Sequence, residues 1–177
     1  KYIEALKAEH KSKKELSLAG IRATRMNALF VMQFLGKGAN QTLPFNMEEV
    51  KNHLEKNKVV VCGALRYSGN STSDTTAAKL ASLLRADFIN MTNVKGLYSD
   101  DPKNNRKASF IPHESWKTFE ERANKIKYRA GQHFVLDQQA AFLIKKHRIK
   151  TYIIGKNLKN LDKIIHNRKF IGTKIEG

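Results

Sequence analysis

The stretch "DTTAAKLASLLRADFINMTNVKGLYSDDP", Asp74 to Pro102, changes its periodicity twice. Up to Ala86 it is rich in alanine and leucine, with apolar residues at helical spacing, so a helix is expected with Ser73 or Asp74 as its N-cap. "DFINMT" then reads as a short strand, and Gly96 with the two aspartates before Pro102 reads as a turn that ends it. Helix, strand and polar turn in that order form the repeating unit of an α/β protein.

The same alternation extends in both directions. Upstream, "KVVVCG" (Lys58 to Gly63) is β-branched and ends at a glycine, as a strand would. Ahead of it, "NMEEVKNHLEK" is a short amphipathic helix, and "GIRATRMNALFVMQFL" (Gly20 to Leu35) has apolar residues on most of its faces, as a helix in a core or a subunit contact would. "KYIEALKAEHKSKKEL" at the start reads as one helix. Downstream, "HESWKTFEERANKI", "DQQAAFLIKKH" and "LKNLDKIIHN" are helices, "KTYIIG" is a strand and "FIGTKIE" a terminal strand. No linker or repeat divides the chain, and Pro102 to Pro112 reads as a surface excursion. A single α/β domain over residues 1–177 is expected.

Composition narrows the class. An apolar fraction of 41% with 28% charged residues is that of a folding chain rather than a disordered one. A lone cysteine, Cys62, forms no intrachain disulfide and fits a reducing cytoplasm, as a small core residue. No run reaches the length of a membrane helix and no secretory signal opens the chain. The net charge of +17 suits a polyanion partner, but the cations are spread from end to end without one dense basic run. A lysine-rich solvated surface, a nucleic-acid groove and a phosphate-bearing substrate all remain compatible with it, the first favoured over the second.

In an open α/β sheet, ligands sit beyond the carboxyl ends of the strands. Two loops qualify. After "KVVVCG", Gly69, Asn70, Ser71, Thr72 and Ser73 precede a helix and offer hydroxyls, N–H groups and a helix dipole to an anion, or simply a turn and a cap. After "DFINMT", Tyr98 has a face for a flat ring and Asp101 an acceptor for ribose hydroxyls, while Gly96 permits a tight turn. On these residues alone, turn and cap duties are the favoured reading of the second loop.

Taken together, "VVVCG…STSDTTAAKLASLLRADFINMTNVKGLYSDDP", "RAGQHFVLDQQAAFLIKKHRIKTYIIG" and "IGTKIE" resemble the uridylate kinase branch of the amino acid kinase family, in its archaeal form. The resemblance covers essentially the whole chain. It implies the three-layer α/β/α sandwich of the carbamate kinase-like fold. It also implies transfer of the γ-phosphoryl group of ATP to UMP, with Mg2+ delivered as MgATP, in a cytoplasmic hexamer built as a trimer of dimers. In that family the "TNVKGLYSDDP" motif borders the ATP adenosine, which assigns Thr92, Asn93, Tyr98 and Asp101 to ATP. The preceding loop holds UMP, which makes Leu65, Arg66, Tyr67, Ser68, Gly69, Asn70, Ser71, Thr72 and Ser73 acceptor-site residues, together with Ser17. Asp74 and Asp137 match shared acidic positions and are the expected catalytic pair. Arg129 stands where relatives often carry a lysine; a surface position is expected for it. No metal-ligating residue is assigned.

Departures from the family pattern are specific. Lys95 replaces an aspartate in the turn, at a position expected to be exposed. Ser17 replaces an aspartate that binds the UMP ribose, and Ala64 with Leu65 replace a glycine-threonine pair. The family's first strand and its glycine-rich phosphate loops have no counterpart here, so a leader of about fifty further residues is expected, within the size of one domain. A nucleotide-binding regulator with a basic nucleic-acid surface, or a sibling kinase with another small acceptor, are the competing readings.

Overall fold

Tyr152, Ile153 and Ile154 are all buried, although a strand sends consecutive side chains to opposite faces. The strand that carries them, Thr151–Gly155, is therefore covered on both sides, and its unbroken apolar run follows from that. Ile153 packs with residues of the helices Ser73–Leu84, Trp116–Lys125 and Gln138–Lys146, whereas Tyr152 and Ile154 pack with the helix Leu158–Ile165. Helices, sheet and helix form the three layers.

In the computed structural model, residues 2–67, 71–102, 104–125 and 135–177 are described. They fall into two units, 1–73 and 74–177. In chain order the elements are α1 (Tyr2–Ala8), α2 (Lys13–Leu35), a 3-10 turn (Gly36–Gly38), α3 (Met47–Leu54), α4 (Ser73–Leu84), β1 (Phe88–Thr92), β2 (Leu97–Tyr98), β3 (Phe110–Ile111), β4 (His113–Glu114), α5 (Trp116–Lys125), α6 (Gln138–Lys146), β5 (Thr151–Gly155), α7 (Leu158–Ile165) and β6 (Thr173–Ile175).

The second unit contains a sheet of order β1-β5-β6-β4. Strands β1 and β5 run parallel with Thr92 opposite Gly155, β6 is antiparallel to β5, and β4 is parallel to β6. The excursion expected between Pro102 and Pro112 closes as a hairpin, with β3 pairing antiparallel to β2. A buried ion pair holds α5 to β4: Arg122 grips Glu114 with Nε at 3.1 Å and Nη2 at 2.7 Å from Oε1. Glu114 is 6% exposed, and two guanidinium donors converging on Oε1, with Nε also 3.3 Å from Oε2, keep its buried charge paired.

The first unit is largely helical, and two polar side chains hold its loops. Buried Asn40 donates to the carbonyls of Thr42 and Val61 at 2.8 and 2.9 Å and accepts from Val61 N at 2.6 Å. Arg25 donates to the carbonyls of Pro44 (2.7 Å), Ala64 (3.3 Å) and Leu43 (3.4 Å) and lies over the Phe45 ring at 4.1 Å.

Three expectations need correction here. Lys58–Gly63 forms no strand: the Val61 main chain is satisfied by the Asn40 amide, and Ala64 N donates to Thr24 Oγ1 at 3.2 Å. Side chains of the first unit take the place of a neighbouring strand. The opening helix is two helices, because His10 adopts a left-handed φ of 53° and Ser12 starts a new helix with a capping box to Glu15. Finally, α4 begins at Ser73, which puts Ser73 and Asp74 inside its first turn rather than ahead of it. Cys62 is half-buried, and burial pushes its thiol pKa up against the opposing charge of Arg25.

Candidate functional site

Two helices of the second unit start at the same place. Asp137 caps α6, its Oδ1 accepting from Ala140 N at 2.8 Å. Its carboxylate also accepts from the Thr75 hydroxyl in the first turn of α4, at 3.0 Å to Oδ1 and 3.2 Å to Oδ2. Asp74, in the same first turn of α4 as Thr75, lies close enough to Asp137 for the two carboxylates to repel. Burial, followed by repulsion from Asp137, pushes the Asp74 carboxyl above its ordinary range. The positive ends of two helix dipoles meet at these carboxylates, an arrangement suited to organising anionic groups.

Behind this pair, Asn90 on β1 donates from Nδ2 to the Val135 carbonyl at 2.8 Å and so fixes the chain that leads into Asp137. Sequence reasoning missed both Thr75 and Asn90. The available signal was weak: a hydroxyl after an aspartate at a helix start, and a polar side chain within an apolar strand.

The "TNVKGLYSDDP" loop is built from the carboxyl end of β1. Gly155 opposite it has Val94 O only 3.3 Å from where a Cβ would sit. Gly96 has no left-handed φ. It is needed because a Cβ there would meet Phe110 Cε2 and Thr173 Oγ1 at 2.8 Å, so close packing rather than turn geometry requires glycine. Thr173 Oγ1 accepts from Leu97 N at 2.7 Å and donates to Ile111 O at 2.5 Å, tying the hairpin to β6. Tyr98 stacks edge-on against Phe110, with centroids 5.4 Å apart. Thr92 Oγ1 donates to Asn93 Oδ1 at 3.3 Å, and Asn93 and Lys95 are both exposed. The aspartates shape the turn beyond. Asp101 Oδ2 accepts from Asn104 Nδ2 at 2.7 Å, and Asp100 accepts from Asp101 N and Asn105 Nδ2 at 2.7 and 2.8 Å. These two donors hold the Asp100 carboxyl below its usual range.

The residues assigned to the acceptor are less uniform. Leu65 is buried, Arg66 is exposed with its N–H donating to Phe45 O at 2.8 Å, and Tyr67 is half-buried. Ser71 is half-buried, and Thr72 and Ser73 are exposed at the start of α4. Ser68, Gly69, Asn70 and Arg129 lie outside the described residues. Ser17 is spent on its own helix, its Oγ donating to Lys13 O at 2.9 Å.

A helix-sheet-helix sandwich whose polar loops open beyond the strand ends, with paired carboxylates at two helix starts, is the framework of a phosphotransferase. The chain belongs to the amino acid kinase family, whose model matches residues 3–155. Within that family it is similar to uridylate kinases. The uridylate kinase of Archaeoglobus fulgidus is 36% identical over 157 residues, covering 88% of this chain and 70% of that protein. That of Sulfurisphaera tokodaii is 33% identical over 181 residues, covering 99% and 78%. The crystal structure of the Archaeoglobus fulgidus enzyme superimposes with a TM-score of 0.87 at 32% identity, over 98% of this chain and 78% of that one. A UMP kinase from Ureaplasma parvum, 19% identical with a TM-score of 0.78, shares the fold.

Proposed function

We propose that the protein is a uridylate kinase that transfers the γ-phosphoryl group of ATP to UMP, giving UDP and ADP, and so feeds pyrimidine nucleotide synthesis. The observation that carries this reading is the bond from Thr75, next to Asp74, to Asp137 at the starts of two helices, in a chain similar to archaeal uridylate kinases over most of its length. Phosphoryl transfer needs positioning and charge stabilisation more than covalent chemistry. In this account Asp74 and Asp137 organise the groups around the transferred phosphoryl. Thr92, Asn93, Tyr98 and Asp101 hold the ATP nucleoside, and Arg66, Tyr67, Ser71, Thr72 and Ser73 serve the UMP side.

Magnesium belongs to the reaction as MgATP. Among the described residues no group of three or more His, Cys, Asp or Glu is placed to hold a metal. Carried on ATP, the ion would neutralise phosphate charge during transfer.

Self-association through α2 belongs to the same proposal, supported by the exposure of Phe30 (70%) and Phe34 (82%) on that helix. So does a cytoplasmic location, supported by the single cysteine. No helix among the described residues is long and apolar enough to cross a membrane.

The acceptor is tested by incubating the full-length protein with MgATP and each nucleoside monophosphate in turn and identifying products by phosphorus NMR. UDP from UMP, without comparable product from AMP, GMP or CMP, supports the reading. A different preferred acceptor replaces uridylate with a sibling specificity.

A further inference from the structure

Thr75 is fully buried at the start of α4, and its hydroxyl donates to a carboxylate 62 residues further along the chain. It reaches both oxygens of Asp137, whose Oδ1 also accepts the N-cap bond from Ala140 N at 2.8 Å. Asp74, the residue before Thr75, lies within repelling distance of the same carboxylate. One hydroxyl therefore sets the orientation of the carboxylate that faces Asp74. Asn90, holding Val135 O at 2.8 Å, fixes the approach to Asp137 from the strand side. Two acidic groups this close repel each other, so their placement depends on donors fixed in advance.

We propose that Thr75 is a positioning residue for the phosphoryl-transfer step: its hydroxyl locks the Asp137 carboxylate beside Asp74. The proposal rests on the kinase reading given above and adds to it a residue that touches no substrate.

The pair Thr75→Val and Thr75→Ser in the full-length protein separates this role from simple packing. Valine keeps the shape of threonine and removes the hydroxyl; serine keeps the hydroxyl and removes a methyl group. For Thr75→Val, kcat with ATP and UMP is expected to fall about tenfold, the effect of losing one hydrogen bond to a charged group. The KM values should stay within about twofold, since no group that binds substrate is removed. Thr75→Ser should retain at least about half of the parent kcat, because the donor remains. Crystal structures of both variants supply a readout independent of turnover: the Asp137 carboxylate should leave its α4 contact in the valine variant and keep it in the serine variant. Equal rates in parent and Thr75→Val, or an equal loss in both variants, would overturn the proposal. A parent that transfers nothing to UMP would sink the kinase reading instead, and an unmoved Asp137 in the valine variant would then refute the tether separately.

Discussion

The Thr75 hydroxyl donates to the Asp137 carboxylate at 3.0 Å to Oδ1 and 3.2 Å to Oδ2. This contact joins the starts of α4 and α6, next to the carboxylate of Asp74.

The raised pKa of Asp74 makes that residue a cost to folding. A carboxyl whose folded pKa lies above its unfolded value favours the folded state fully only below the unfolded value, and this contribution is lost as pH rises through the folded pKa. Asp74→Asn is therefore expected to stabilise the protein at neutral pH. After allowance for solvent screening the gain is no more than about 1 kcal/mol, or about 2–4 °C in Tm. Calorimetry at pH 7 and again below the ordinary aspartate range checks the sign, because the difference should vanish at the acid end.

Gly96 and Gly38 form an internal comparison. Alanine at 96 would meet Phe110 Cε2 and Thr173 Oγ1 at 2.8 Å and Thr173 N at 3.0 Å, whereas alanine at 38 meets nothing within 4 Å. Gly96→Ala should cost about 1–3 kcal/mol by overpacking and raise the KM for ATP, since the displaced hairpin carries Tyr98. Gly38→Ala should be neutral or slightly stabilising. Denaturant midpoints with ATP titrations separate the two.

Arg25 holds three carbonyls of the first unit and covers the Phe45 ring. Removing it leaves part-buried acceptors without their donor, so Arg25→Ala should destabilise by about 1–3 kcal/mol. Arg25→Lys should recover little of this, because an ammonium cannot reproduce the planar fork. Proteolysis in the 39–45 loop, faster in both variants than in the parent, is the expected signature.

The α2 surface yields a prediction about assembly. Phe30→Glu combined with Phe34→Glu should lower the oligomeric state without unfolding the helix, since both side chains are exposed within the chain. Light scattering reads the mass. A monomeric parent, or a variant of unchanged mass, counts against self-association through this face.

Much of this fold was legible because periodicity and burial agreed. The continuous run Thr151–Gly155 and the helix patterns of α5, α6 and α7 correspond to observed elements, as does the strand after Asp87. Lys58–Gly63 misled because β-branched residues favour an extended backbone without specifying its partner, and here that partner is the Asn40 side chain. The break between α1 and α2 lay in a local signal, Ser12 with Glu15, inside a charged run that also reads as continuous helix. Asp74 and Asp137 entered the candidate site through a family pattern, whereas the bonds of Thr75 to Asp137 and Asn90 to Val135 join residues distant in the chain, which no single segment displays.

The central claim is that the Asp74–Asp137 pair serves phosphoryl transfer from ATP to UMP. Its most direct test is a coupled ADP-release assay on the full-length protein with MgATP and UMP, comparing the parent with Asp74→Asn. The account predicts UMP-dependent turnover in the parent and a fall of about a hundredfold or more in the variant, the size of loss seen when a preorganised electrostatic group is removed. It also predicts that the variant remains folded and at least as heat-stable as the parent. A folded Asp74→Asn variant that turns over UMP at the parental rate would contradict it.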